Sequence, residues 1–224
     1  VTRYRHVVWD WNGTLLDDLD IVVDIMNRML RRRNLPVLTH ERYRDIFGFP
    51  VRNYYEAAGL DLVAEPFAVL AEEWVAGFQA RWRTARLHLQ APGVIDAVRR
   101  LGVSQSVLSA AEQTLLGEQA AHFGMADRFA RLVGIDNHHA ESKLARGAEW
   151  LTEVGCPLDR VLLVGDTTHD HAVAVALGID VVLVDDGHQS RERLDRCGVP
   201  VFNSLDELVA PDGPLPVRSL GTVV

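Results

Sequence analysis

The sequence predicts an α/β fold: a doubly wound, Rossmann-like parallel sheet carrying an inserted all-α unit. Three observations lead there. From Ala91 onward, short apolar runs alternate with helix-length segments, the pattern of a parallel sheet wound by right-handed crossovers. Runs such as Val161–Val164 and Val181–Val184 are continuous in Val and Leu rather than alternating, so they read as strands buried on both faces. Residues 18–88 hold no credible strand and read mainly as helix, which makes them an insertion after the first strand.

In chain order, a first strand covers about 6–10. Leu19, Val22, Val23, Met26, Met29 and Leu30 then recur at a period near 3.6 and close on Arg31-Arg32-Arg33, a charge that suits a helix C-terminus. Asn34-Leu35-Pro36 breaks that helix. Thr39 starts a second, with Glu41 in its first turn and Arg42 three residues on. Gly48-Phe49-Pro50 marks a turn, and a longer helix spans 64–85 with Phe67, Leu70, Ala71, Trp74 and Phe78 on one stripe. Helix 93–101 precedes strand 106–109, and helix 111–123 precedes strand 132–134. Helix 142–154 precedes strand 161–164, and helix 170–177 precedes strand 181–184. A weaker unit pairs a helix near 190–196 with a strand near 200–202, and 211–224 reads as a loose tail. The expected division is a core of 1–17 and 89–224, with 18–88 as the inserted helical domain.

The 224 residues, 48% hydrophobic and 24% charged, suit one large domain or a core with an insert. A net charge of -8 argues against a general nucleic-acid binder. No apolar run approaches the ~18 residues of a membrane span. The opening Val1–His6 passes straight into the first strand, so no signal peptide is expected. Cys156 and Cys197 form no CxxC, which gives neither a disulfide framework nor a zinc knuckle. A cytoplasmic enzyme is the expectation, with its oligomeric state open. Of the 23 basic residues, Lys143 is the sole lysine. In a chain that uses arginine everywhere else, that lysine is a candidate for a specific task.

The chemistry-bearing residues fall at the C-terminal ends of the expected strands, where open α/β sheets place their sites. Asp10 ends the first strand and enters the turn Trp11-Asn12-Gly13-Thr14. There Gly13 lets backbone approach a ligand, Thr14 offers a hydroxyl, and a carboxylate suits attack on phosphorus. Ser109 ends the second strand, Lys143 opens a helix, and Asp166 follows Val161–Val164. Each alone reads as a cap or turn former. Together on one sheet edge they do not.

The order resembles the four motifs of the haloacid-dehalogenase (HAD) superfamily, and the resemblance spans nearly the whole chain. It implies a Rossmann-like HAD core, an inserted all-α cap and a phosphoric monoester hydrolase. Asp10 stands at the nucleophile. Thr14, Ser109 with Ala110, and Lys143 stand where the phosphoryl group is bound. Val164-Gly165-Asp166-Thr167-Thr168-His169-Asp170 stands at the acidic motif that binds magnesium. The implied Mg²⁺ ligands are Asp10, the Asn12 carbonyl and Asp166, with Asp170 binding metal-bound water or holding Lys143. Ala91-Pro92-Gly93-Val94 and Phe47-Gly48-Phe49-Pro50 resemble segments of the phosphoglycolate-phosphatase-like group.

One position departs from the motif. The resemblance places an aspartate at position 12, where it protonates the leaving alkoxide and then activates water, a contribution of about 10²–10⁴-fold. Asn12 cannot trade a proton. Three readings stay open. The first is a phosphatase of a small phosphorylated metabolite with a good leaving group, or with acid/base help from elsewhere. His169 and His171 are candidates for that help, although they read first as solvated histidines beside a helix start. The second is another HAD chemistry such as dehalogenation. The third is a low-turnover phosphate-binding or regulatory module. Arg52, which follows the Pro50 turn, is a candidate for a distal anion but reads first as solvated. His138-His139-Ala140-Glu141 reads as a polar loop.

Overall fold

β1 (His6–Trp9) is buried along its whole length at the centre of a six-stranded sheet in the computed structural model, which describes residues 2–135 and 142–216. The chain then passes through β2 (Leu16–Asp17) into α1 (Leu19–Arg32), α2 (His40–Ile46), α3 (Val51–Ala57) and α4 (Phe67–Gln79), and returns through β3 (Arg86–Leu87). From there α5 (Ala91–Arg100) leads to β4 (Ser104–Glu112), and α6 (Gln113–His122) leads to β5 (Arg131–Ile135). Next, α7 (Ser142–Val154) leads to β6 (Val161–Gly165), and α8 (Thr168–Leu177) to β7 (Asp180–Val184). Finally α9 (Arg191–Asp195) leads to β8 (Val201–Phe202).

The sheet order is β5-β4-β1-β6-β7-β8, and every pairing in it is parallel. The winding runs from β1 out to β4 and β5, then returns to the other side of β1 for β6. The crevice at that reversal lies beyond the C-terminal ends of β4, β1 and β6, as the strand-end rule requires. Successive strand residues face opposite sides. Val7, Trp9, Val107, Leu162 and Val164 pack under α5 and α6. Val8, Leu108, Val133 and Leu163 pack against Trp150 of α7, Val173 of α8 and Leu194 of α9. The expected doubly wound α/β core is present.

The inserted helices follow the sequence pattern in part. α1 buries the expected stripe, including Val22, Met26, Met29 and Leu30. The Thr39 hydroxyl caps α2 by accepting from the Arg42 N–H at 3.1 Å. Trp74 and Phe78 stack at 5.2 Å as core aromatics. The Arg33 guanidinium closes α1 onto Glu65 and Glu73.

Four differences have physical reasons. α3 has no counterpart in the sequence reading because it has no side-chain cap. Tertiary packing of Tyr54 against Tyr43 and Phe47 holds it. The helix expected over 64–85 ends at Gln79, with one 3₁₀ turn at Trp82–Thr84. The stretch read as strand-free contains β3, which pairs antiparallel with β2 (Leu16 with Leu87, Asp17 with Arg86). Two-residue strands leave no periodicity to read. The tail is packed at its start: Leu215 is buried and its N–H donates to the Leu208 carbonyl at 2.9 Å. The rest of the tail, 217–224, lies outside the described residues, as does the polar loop at 138–141.

β1 opens on a buried histidine. The His6 ring lies 2.9 Å from Ser106 Oγ and 5.1 Å from the Trp150 ring. Burial pulls its pKa down from 6.5 to about 4. The folded state therefore keeps the ring neutral, while the unfolded chain protonates it below 6.5. The resulting stability is full above that pH and is lost as pH falls toward 4, roughly 3 kcal/mol across the window. We expect His6→Asn to shrink the difference in Tm between about pH 7 and pH 5. An undiminished difference would show that His6 is not the group responsible.

Candidate active site

Asp10 continues β1 by one residue, its N–H donating to the Val164 carbonyl at 2.9 Å. The chain then folds tightly back. Leu15 and Leu16 N–H both donate to the Trp11 carbonyl, and Gly13 N–H donates to Leu16. Trp11 anchors the turn in the core through Nε1 to Gln119 Oε1 at 3.0 Å. Gly13 has φ of +80°, and a Cβ there would fall 2.3 Å from Asp166 Oδ2 and 2.4 Å from His188 Cδ2. Only glycine meets both demands.

Lys143 is 2% exposed and donates to Asp10 Oδ1 and Asp170 Oδ1, each at 2.6 Å. A compact ammonium fits between two carboxylates where a planar guanidinium would not. Asp170 has a second task. Its Oδ2 accepts from the Thr167 N–H and hydroxyl, completing the capping box of α8. Asp166 is also held at both oxygens: Oδ1 accepts from the Thr14 hydroxyl at 2.8 Å and Oδ2 from the His188 N–H at 2.7 Å. Thr14 thus spends its hydroxyl on Asp166.

Crowding sets the electrostatics. Burial pushes Asp10 up to about 8, relieved by Lys143 but reinforced by Asp170 and Asp166. Burial also raises Asp166, with Asp170 adding to it and His188 opposing. Asp170 goes the other way: burial works against its charge, but Lys143 and Thr167 hold it below the usual carboxylate range. Asp10, Asp166 and Asp170 each offer an oxygen, and these oxygens lie within 4.8 Å of one another. A buried, oxygen-only set with excess negative charge fits a hard divalent cation such as Mg²⁺.

Ser109 and Ala110 lie on β4 past Val107, the partner of Trp9 in the ladder. The register of β4 against β5 shifts between Leu108 and Glu112, a bulge beside the site. Ser109 Oγ is buried and accepts from the Ala111 N–H at 3.0 Å. Of the strand-end residues, Asp10, Lys143, Asp166 and Asp170 are brought together by direct contacts, while Ser109 bonds within its own strand. The histidine candidates do not join them by hydrogen bonds. The His169 ring lies 4.4 Å from that of Phe49, tilted by 31°, and His171 is half-buried on α8. Arg52 is exposed beside Glu56.

The structure adds residues that the sequence reading passed over. Asp18 precedes α1, where it looks like a helix cap worth about 1 kcal/mol, yet its side chain caps nothing. Its Oδ2 instead accepts from Asn12 Nδ2 at 2.7 Å, and its Oδ1 lies 3.1 Å from His188 Nε2. His188 Nδ1 is 3.1 Å from the Tyr43 hydroxyl on α2. Burial opposes a charge on His188, but Asp18, Asp166 and Asp10 raise it to about 9. The strand-end rule that found Asp166 also marks Asp185-Asp186-Gly187-His188 after β7, so a signal for His188 existed.

The described residues include no helix long and apolar enough to cross a membrane. The sequence matches the haloacid dehalogenase-like hydrolase family over residues 7–184. It is 28% identical over 207 residues to the tyrosine-protein kinase PtkA of Mycobacterium tuberculosis, covering 90% of this chain and 70% of that one. It is 26% identical over 190 residues to a phosphoglycolate phosphatase of Caulobacter vibrioides, covering 81% and 79%. The fold is shared with a haloacid dehalogenase-like hydrolase from Streptococcus pneumoniae, with a TM-score of 0.79, 15% identity, and coverage of 92% and 97%.

Proposed function

This chain belongs to the haloacid dehalogenase-like hydrolases, and as a phosphatase of that family we propose that it is Mg²⁺-dependent and acts on a small phosphorylated metabolite through an aspartyl phosphate. One observation carries the reading: Asp10 at the mouth of β1 is held at a single oxygen by the chain's only lysine, beside Asp166 and Asp170. Asp10, the Asn12 carbonyl and Asp166 would hold Mg²⁺, with Asp170 acting through Lys143. When bound, Mg²⁺ supplies positive charge against a dianionic phosphoryl group.

The residues divide the chemistry. Lys143 fixes Asp10 through Oδ1, which leaves Oδ2 to form the bond to phosphorus while the bond to the leaving oxygen breaks. The leaving group departs with its electron pair. Lys143, Ser109 and the Ala110 backbone would hold the equatorial oxygens, stabilising their charge. Water then attacks phosphorus, and the bond to Asp10 Oδ2 breaks with its electron pair returning to the carboxylate. The water's protons leave with the inorganic phosphate, and the hydrolysis is split into two steps. Residues 18–88 would act as a cap. Its α2 end already meets the core through Arg44 Nε to the Gly187 carbonyl at 2.8 Å and Gln189 Nε2 to the Phe47 carbonyl at 2.9 Å.

A phosphate-release screen over aryl, acyl, sugar and nucleotide phosphates tests the reading. Release is expected only with Mg²⁺, fastest for acyl and aryl phosphates, because Asn12 offers no proton to a poor leaving group. Folded, Mg²⁺-loaded protein that turns over none of them would favour a phosphate-binding module, and halide release without metal would favour dehalogenation. The similarity to PtkA adds a tyrosyl peptide to the screen, since an amide at position 12 does not activate water over other acceptors.

A further inference from the structure

Position 12 does not stand alone. Asn12 Nδ2 is 2.7 Å from Asp18 Oδ2, and a carboxylate at that distance accepts, so the amide nitrogen must face it. The other end of the amide is thereby fixed. Asn12 Oδ1 takes no hydrogen bond among the described residues, and Asn12 is more open than Asp10, Asp166 or Lys143 around it. Asp18 is itself clamped: it is 1% exposed, its other oxygen lies on His188, and its backbone carbonyl accepts from Ile21 and Val22 at the start of α1. It stands at a helix N-terminus but leaves the helix uncapped and turns to residue 12 instead.

We infer that Asp18 is a positioning residue that turns the Asn12 amide so that its oxygen, not its NH₂, faces the reacting group. The consequence rests on the phosphatase reading. An amide oxygen can accept a hydrogen bond from water, which helps aim it at phosphorus. It cannot donate one to a departing oxygen. The site is therefore matched to phosphate bonds whose leaving group needs no proton, such as acyl phosphates and phosphoanhydrides, over alkyl esters. Residues 12 and 18 form one amide–carboxylate pair whose order sets that preference.

The pair can be inverted. N12D alone sets two carboxylates at hydrogen-bond distance in a buried place, whereas N12D/D18N restores one amide and one carboxylate in reverse order. The four proteins of this cycle are compared for Tm without metal, and for kcat and KM on acetyl phosphate and glycerol phosphate with Mg²⁺. We expect N12D to lose Tm and about tenfold in kcat on acetyl phosphate, the scale of coupling between touching residues. The inverted pair should recover most of that Tm. It should also raise kcat on glycerol phosphate above the parent, narrowing the ratio between the substrates, while KM changes little. A purely structural role for Asp18 would restore Tm and leave the ratio unmoved.

An N12D protein as stable as the parent and faster on the alkyl ester would overturn the inference, as would an inverted pair with the parent's ratio. If no member of the cycle, parent included, cleaves either substrate, the phosphatase reading fails. Coupling in Tm would then still report whether residues 12 and 18 are paired.

Discussion

Asp10→Asn is expected to release no measurable phosphate while losing no thermal stability. The loss in kcat should be on the order of 10⁴-fold or more, the scale of removing a covalent nucleophile. Asn is nearly the same shape and can still accept from Lys143 through its amide oxygen, so the turn from Trp11 to Leu16 has no reason to move. Stability should hold or rise, because Asp10 is the carboxylate that crowding disfavours: burial, with Asp170 and Asp166 nearby, pushes it up to about 8. Removing its charge leaves Lys143 with one full partner in Asp170 at 2.6 Å. Rapid-quench labelling with a radioactive substrate should find no phosphoenzyme. A variant that keeps even a tenth of parental turnover would show that the nucleophile is elsewhere.

The opposite pattern is expected at Lys143. Lys143→Met keeps much of the stem's volume but removes the cation that touches both Asp10 and Asp170. Breaking a buried ion pair from one side costs about 3–5 kcal/mol, because the partner charge stays buried. Two partners are left here. Metal-free protein should therefore melt well below the parent, and Mg²⁺ should return part of the loss by neutralising the same carboxylates. Turnover should fall by about 10²–10³-fold even with saturating Mg²⁺, the scale of one electrostatic stabiliser. Lys143→Arg should fail too, since a guanidinium fork does not fit a seat made for a point charge. A Met variant with parental Tm in the absence of metal would contradict the buried bridge. Side by side, the two variants separate chemistry from stability at neighbouring atoms.

Much of the site was legible because parallel sheets put their chemistry at strand ends. Asp10 and Asp166 follow continuous apolar runs, and Lys143 stood out against 22 arginines. Asp18 was not legible. Every local signal assigns it to the N-terminus of α1, and only the tertiary fold shows its carboxylate turned to Asn12 and His188. His188 sits 176 residues from Asn12 and is linked to it through Asp18, a relation that no spacing rule expresses. The fold shows the same divide. α7 is read at its observed bounds, Ser142–Val154, from its place between two apolar runs. α3 and the β2–β3 ribbon depend on distant partners and leave no local trace.

That ribbon has a mechanical consequence. The outgoing and returning chains of the inserted helices run side by side, Leu16 against Leu87 and Asp17 against Arg86, so both covalent connections of the insertion leave the core at one seam, separate from the contacts of α2 with Gly187 and Gln189. If the insertion moves as a cap, it turns about that ribbon and must release the α2 contacts. The seam is fastened to the turn from Trp11 to Leu16: Leu16 bridges Asn12, and the Leu15 carbonyl takes the His88 N–H at 3.0 Å. On the proposed cap reading, a swing that admits substrate would reach Asn12 as torque. Access and the aim of that amide would then be geared to one another.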